Sequence, residues 1–218
     1  MGVIMKYLVC ILIGYFLGCI NPSYIIGKLR GVNIKKSGSR NAGASNALLL
    51  FGKAVGVFCA LFDIMKAFAA IKICEAIFSG EPYVFSVAAV AAILGHIFPF
   101  YLKFKGGKGL ACLGGTVLAF DWRYFLMILS IEVIFVLIVN YICFVPMTAS
   151  VVFPISYGII RQDLIGALIL LIPMVVILIK HIENIKRIMD GSEVRISYLW
   201  NKNKEVERVT KNINGKKQ

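Results

Sequence analysis

Three stretches rich in glycine, lysine and amide side chains have the composition to hold a phosphate. They read Gly38-Ser39-Arg40-Asn41-Ala42-Gly43, Lys103-Phe104-Lys105-Gly106-Gly107-Lys108-Gly109 and His181-Ile182-Glu183-Asn184-Ile185-Lys186-Arg187. Adjacent glycines let backbone N–H groups converge on an anion, and a basic side chain adds the compensating charge. Long apolar runs surround the first two islands and lead into the third. A phosphate site set in so apolar a chain suits a ligand with a phosphate head and a hydrocarbon tail.

The second island carries the most specific pattern. Lys105-Gly106-Gly107-Lys108-Gly109 lacks the four-residue spacing of a Walker A loop, so nucleotide hydrolysis is not implied. Gly106 and Gly107 can form a backbone nest, and the helix beginning just after Gly109 would point its positive end at the same spot. A basic loop resting on lipid headgroups is the alternative. The first island, running from Ser37 to Asn46, is made of residues that build turns and cap helices. In the third, His181 and Asn184 are three apart and share a helical face. A histidine there can orient or deprotonate a hydroxyl near neutral pH, or cap the last helical carbonyls.

The elements that must position these islands are membrane spans. Hydrophobic residues make up 59% of the 218, and mean hydropathy is +0.83, more apolar surface than a soluble domain of this size can hide. Apolar runs cover about 3–20 with a continuation to Lys28, then about 54–78, 83–102, 109–120, 124–143, 146–160 and 164–180. Pro22 predicts a break at Gly18–Pro22. The runs at 109–120 and 146–160 fall short of the roughly 20 residues a straight span needs. The expected architecture is an all-α polytopic membrane helix bundle of about seven transmembrane helices, some short or broken. Residues 1–200 form its single domain, and residues 201–218 are expected to be a loose, polar, basic tail.

Charge orients the bundle. The net charge of +13 is concentrated in the gap at 28–53, in the gap at 103–108 and in the tail from Lys180, which holds ten Lys/Arg against five Asp/Glu. The gaps at 79–82, 121–123 and 161–163 are neutral or acidic. Seven crossings with the amino terminus outside put all three islands and the carboxy terminus on the cytoplasmic face, as the positive-inside rule prefers. Six crossings would part the tail from the basic loops. No soluble basic domain is visible, which argues against nucleic acid as a partner. Cleavage of residues 1–19 as a signal peptide is disfavoured by the six apolar runs that follow. Cys10, Cys19, Cys59, Cys74, Cys112 and Cys143 are scattered through apolar segments without a CxxC pair and read as small buried hydrophobes. Asp63 and Lys66, three apart within a span, read as an ion pair shielded by the bundle, with a substrate contact the alternative. Glu132 faces the protein interior or is protonated. Gly14 and Gly18 form a GxxxG helix-packing pair.

On these residues the chain resembles the bacterial acyl-phosphate:glycerol-3-phosphate acyltransferase family, from Gly18 to about Arg195. The first family motif, Gly-Ser-Gly-Asn-x-Gly-Ala-Thr-Asn with an Arg after two further residues and then Gly-Lys, is met at Gly38, Ser39, Asn41, Gly43, Ala44, Ser45, Asn46, Gly52 and Lys53. The second is met at Gly95, His96, Phe98, Pro99 and throughout Lys103–Gly109. The third is met at His181, Glu183, Asn184, Ile185, Arg187, Gly191 and Glu193. The chain departs where Arg40 stands for a glycine, where Leu49 stands for the motif-one arginine, and in the stretch from Tyr141, where Cys143 and Pro146 stand for two serines.

The resemblance implies a seven-helix bacterial inner-membrane enzyme. It would move an acyl chain from acyl phosphate to the 1-hydroxyl of sn-glycerol 3-phosphate, giving lysophosphatidic acid and phosphate. Catalytic roles would fall to Ser39, Lys108, His181 and Asn184, and substrate binding to Gly38, Arg40, Asn41, Gly43, Asn46, Lys105, Gly106, Gly107 and Gly109. Lys108 with the Gly106 and Gly107 amides would hold one phosphate, and Ser39, Arg40 and Asn41 would help with the other. Acyl phosphate is already activated, so no metal, nucleotide or other cofactor is expected. Leu49 and Pro146 leave a second reading open, a relative that binds these ligands with little turnover; a third is an anion or lipid carrier.

Overall fold

The structure, a computed structural model, describes residues 2–214, and its regular elements among them are all helical. The first apolar run divides into α1 (Val3–Cys19) and α2 (Pro22–Leu29). Pro22 takes the first helical position, where its missing N–H costs nothing, and the Asn21 side chain caps the new helix by accepting from Tyr24 N at 2.8 Å. The break expected at Gly18–Pro22 is there. The chain continues through α3 (Ala44–Phe51), α4 (Lys53–Ile77), α5 (Val84–Ile97), a 3-10 turn at Phe100–Leu102, α6 (Leu110–Phe120), α7 (Trp122–Val139), α8 (Phe144–Arg161) and α9 (Leu164–Met189). It closes with a 3-10 turn at Ile196–Leu199 and α10 (Lys202–Asn214).

Six of these segments are long and apolar enough to span a bilayer: Ile4–Leu29, Lys53–Ile77, Val84–Leu102, Trp122–Val139, Phe144–Arg161 and Leu164–Met189. The run at 146–160 is longer than expected. Helix α8 has 18 residues because Phe144 and Val145 start it ahead of Pro146, which sits in the first turn, where its missing N–H costs no helical bond. Helix α6 is the short seventh, at 11 residues about 16 Å long. It still joins the two ends of the bundle. Gly109, its cap, packs on Ile97 and Ile177, while the Phe120 ring lies 5.5 Å from Tyr157 and under Arg161 at 5.1 Å.

Helix α5 is the central strut, buried over 67% of its span. Alanines and Gly95 keep it slim, and Gly14 and Gly18 of α1 lie directly on it. A Cβ at Gly14 would stand 2.7 Å from Ala91 Cβ, so any larger residue would push the two backbones apart. Helix α7 is the opposite case, with 11% of its span buried and Ile134, Leu137 and Ile138 facing outward to lipid. Its Glu132 turns inward and accepts from Thr148 Oγ1 at 2.7 Å, which settles its direction. All six cysteines are buried and unpaired.

Of the tail expected to be loose, residues 215–218 lie outside the described residues. Its residues 202–214 form α10, and Arg208 anchors that helix by donating to Gly191 O at 2.7 Å and to Glu193 O at 2.6 Å. The composition is polar enough to predict disorder, but Arg208, paired with Glu205 one turn away on the same helix, finds a tertiary partner in the Gly191–Glu193 turn.

Candidate active site

The three islands converge at one end of the bundle. The first is a turn held by amide side chains. Asn46, fully buried at the start of α3, donates from Nδ2 to Ile34 O at 2.9 Å and Ser37 O at 3.0 Å, and accepts from Ser39 N at 2.9 Å. Asn21, at the α1–α2 break, donates to Ala42 O at 2.7 Å. Gly38 has φ +59 and leaves no room for a Cβ beside Asn46 Oδ1. Ser39 and Arg40 are left exposed at the crest, and Arg40 also takes a left-handed backbone, φ +58. That conformation explains why the family motif places glycine at this position.

The second island folds back over the end of α5. Gly106 N donates to Ile97 O at 2.9 Å and Gly107 N to His96 O at 3.1 Å. This corrects the expected nest: those two amides are already bonded to backbone carbonyls and face no anion. The glycines serve close approach instead. A Cβ on Gly106 would stand 2.6 Å from Pro99 Cδ, and one on Gly107 would strike the His96 ring. A Cβ on Gly43 would lie 3.9 Å from Gly107 Cα, so islands one and two are in contact. Lys35 adds a second tie by donating to Leu102 O at 2.7 Å. Lys105 is exposed.

Beneath this loop lies a buried charge cluster. Lys66 Nζ is 2.6 Å from Asp63 Oδ1 and 3.1 Å from His96 Nδ1, and it donates to Ile20 O at 2.5 Å. The shielded ion pair expected of Asp63 and Lys66 is therefore present, and it joins α4 and α5 to the α1–α2 break. Donor atoms of Asp63, His96 and Cys112 lie within 4.8 Å of one another, but the Lys66 ammonium already stands among them as the cation.

Lys108 and the third island form the reactive-looking corner. Lys108 Nζ donates to Asn184 Oδ1. Asn184 Nδ2 donates to Glu193 Oε1 at 2.6 Å, and Arg187 Nε donates to Glu193 Oε2 at 2.6 Å. Burial, and then the Arg187 cation, lower the Lys108 pKa from its ordinary 10.5, while Glu193 pulls the other way. His181, one turn before Asn184, is buried and its Nδ1 lies 2.8 Å from Ile177 O. A carbonyl can only accept, so Nδ1 carries the hydrogen and Nε2 is the atom able to take a proton. The 181–184 spacing thus puts both side chains on the buried face of α9.

Sequence reasoning assigned no role to Asn21, Lys35 or Glu193. Asn21 was visible as Asn-Pro after a span, and Glu193 as a carboxylate spaced behind two basic residues. Leu49 sits half-buried on α3, and Pro146 is buried in the first turn of α8. Neither side chain offers a polar group there.

Fold and site together define an integral membrane protein with a cationic, amide-rich cluster of side chains at one end of a helix bundle. Residues 8–191 match the family model for glycerol-3-phosphate acyltransferase. The chain is 36% identical over 210 residues to glycerol-3-phosphate acyltransferase 1 of Oceanobacillus iheyensis, covering 91% of this chain and 99% of that one. It is 35% identical to glycerol-3-phosphate acyltransferase of Thermotoga petrophila, covering 85% and 94%. The crystal structure of PlsY (YgiH), an integral membrane glycerol 3-phosphate acyltransferase, in its glycerol 3-phosphate form superposes with a TM-score of 0.81 at 29% identity, covering 88% of this chain and 96% of that one. Its lysophosphatidic acid form gives a TM-score of 0.78 at 28% identity. The chain belongs to the glycerol-3-phosphate acyltransferase family.

Proposed function

We propose that this protein transfers an acyl chain from acyl phosphate to the 1-hydroxyl of sn-glycerol 3-phosphate, releasing lysophosphatidic acid and inorganic phosphate. The observation that carries this reading is the meeting of Lys108, Asn184 and buried His181 beside the Ser39 turn. Two phosphorylated substrates side by side repel one another, and a partly dry site needs fixed cations and donors to hold both. Lys108 supplies a cation for one phosphate. Ser39, Arg40 and Asn41 serve the other, with Gly38, Gly43 and Asn46 shaping their turn and Lys105, Gly106, Gly107 and Gly109 shaping the Lys108 loop. The acceptor oxygen attacks the acyl carbonyl, the new ester C–O bond forms, and the C–O bond to phosphate breaks with its electron pair leaving on phosphate. The hydroxyl proton has two acceptors in reach of such a geometry, His181 Nε2 and the departing phosphate; Asn184 holds the acceptor in line.

The concentration of basic residues at the site end fits a cytoplasmic pocket in a bacterial plasma membrane, with the polar acceptor arriving from the cytosol and the acyl donor from the lipid. Purified protein given acyl phosphate and glycerol 3-phosphate tests the reading. Lysophosphatidic acid and phosphate should appear together in equal amounts. No phosphate release above background would favour the alternative that Leu49 and Pro146 motivate, a relative that binds both ligands without efficient turnover.

A further inference from the structure

The family model ends at residue 191 and the third motif at Glu193, yet the turn that carries the Glu193 carboxylate is gripped from beyond both, by α10. Glu193 does more than neutralise charge. By accepting from Asn184 Nδ2 it dictates which way that amide points, so Oδ1 is the end offered to Lys108. A flipped amide would present N–H groups to an ammonium and lose the bond. The position of Asn184, and through it the Lys108 rotamer, therefore depends on where the Glu193 carboxylate is held.

Arg187 Nε bonds the carboxylate directly, and two residues of α10 hold the backbone of the turn that carries it. Arg208 donates to Gly191 O and Glu193 O from one guanidinium edge, at 2.7 and 2.6 Å. Glu205 accepts from Arg195 N at 2.8 Å and also receives Arg208 Nη2 at 2.5 Å. The pair thus grips the turn on both sides of Glu193. Asn212 adds a bond to Gly191 O at 2.8 Å. The far side of the turn is tied to the α7–α8 loop by Ile196 N to Asn140 O at 3.0 Å and Ser197 N to Asn140 Oδ1 at 3.1 Å. The planar guanidinium fork suits this two-carbonyl grip, which a lysine cannot reproduce in full.

We propose that Arg208 and Glu205 of the C-terminal helix are positioning residues for the site: they fix the Gly191–Arg195 turn so that Glu193 orients Asn184 toward Lys108. The proposal rests on the acyl-transfer reading above. It makes α10 part of the working enzyme although α10 lies beyond the segment that the family model matches.

The test uses the full chain in detergent or nanodiscs, with acyl phosphate and glycerol 3-phosphate. Arg208→Ala should lower kcat/KM for glycerol 3-phosphate about tenfold, the size usual when an outer support of a polar site is removed. Arg208→Lys should recover part of the loss. In a Glu193→Gln background, Arg208→Ala should add almost nothing, because both changes loosen the same amide. A wild-type rate for Arg208→Ala, or an equal loss in both backgrounds, overturns the clamp. If Arg208→Ala gives no cooperative melt, Glu205→Gln must show the same coupled loss, and an unaltered rate there overturns the clamp as well. Absence of turnover in the unmodified chain sinks the acyl-transfer reading instead. The same variants are then compared by calorimetric binding of glycerol 3-phosphate, where unchanged affinities overturn the clamp.

Discussion

The serine-bearing turn and the lysine corner lie at the same end of the bundle but are built from different interactions. Around Ser39 the organising groups are neutral amides, Asn21 and Asn46, spent on backbone atoms. Around Lys108 they are three charged side chains linked through one amide, Lys108 to Asn184 to Glu193 to Arg187. The first device fixes a shape and leaves the crest exposed. The second fixes a charge where water is scarce. A turn made of backbone bonds should fail by losing structure, whereas a chain of charged side chains should fail by losing affinity and rate while the helices around it persist.

The largest expected effect falls on the charged side. Lys108→Ala removes the cation nearest His181 and Asn184, and turnover should fall on the order of 10³-fold, the scale of losing one fixed electrostatic contact to a reacting group. Thermal melting in detergent should barely move, since the span helices do not rely on Lys108. A large drop in melting temperature would break the comparison by making Lys108 structural. Next comes the amide side. Asn46→Ala strands two carbonyls and one N–H at a buried position, a loss on the order of 3 kcal/mol in stability. Here melting should fall first, and activity should follow the folded fraction. Normal stability with lost activity would show the turn to be chemical rather than architectural.

A smaller effect, in pH, sharpens the charged side. The lowered Lys108 pKa means the ammonium is lost as pH rises through a value below 10.5, earlier than for a free lysine. If its charge holds a phosphate, kcat/KM for glycerol 3-phosphate should turn down on the alkaline limb below that value. Lys108→Arg should carry the limb upward, because the guanidinium does not titrate there. Stability runs the other way. The unfolded chain binds the extra proton between the depressed pKa and 10.5, so the penalty this lysine places on folding is relieved as pH rises across that window. An alkaline limb unmoved by Lys108→Arg would assign it to another group.

Much of this arrangement is legible in the sequence, because bilayer physics leaves few choices. Apolar runs and a break at Pro22 give the spans, and basic gaps point to one shared face. That His181 and Asn184 share one face of α9 follows from helical spacing alone. What spacing cannot tell is whether an amide is free. Gly106 and Gly107 have the composition of an anion nest, yet their N–H groups are consumed by the carbonyls at the end of α5, a partnership set by how tightly the loop folds back. The C-terminal helix is hidden for the opposite reason. Its composition is that of a solvated tail, and its order comes from Glu205 and Arg208, three residues apart, meeting a turn that no local pattern places beside them.

The smallest effect is also the one that divides shape from charge within a single residue. Arg40 is exposed in a left-handed backbone, φ +58, where the family motif has glycine. A non-glycine residue costs about 1 kcal/mol there, so Arg40→Gly should raise the melting temperature by a few degrees if the turn is purely architectural. If the guanidinium also grips a phosphate, in place of the arginine that Leu49 lacks, the same change should raise KM for glycerol 3-phosphate up to about tenfold while leaving kcat nearly intact. The two readouts then move in opposite senses, stability up and affinity down. A gain in stability with KM unchanged would leave Arg40 as a tolerated departure and return the search for a second cation to Lys35 and Lys105. Leu49→Arg then becomes the informative companion. It restores the motif-one residue on α3, and it should raise the rate only if Arg40 is not already serving in its place.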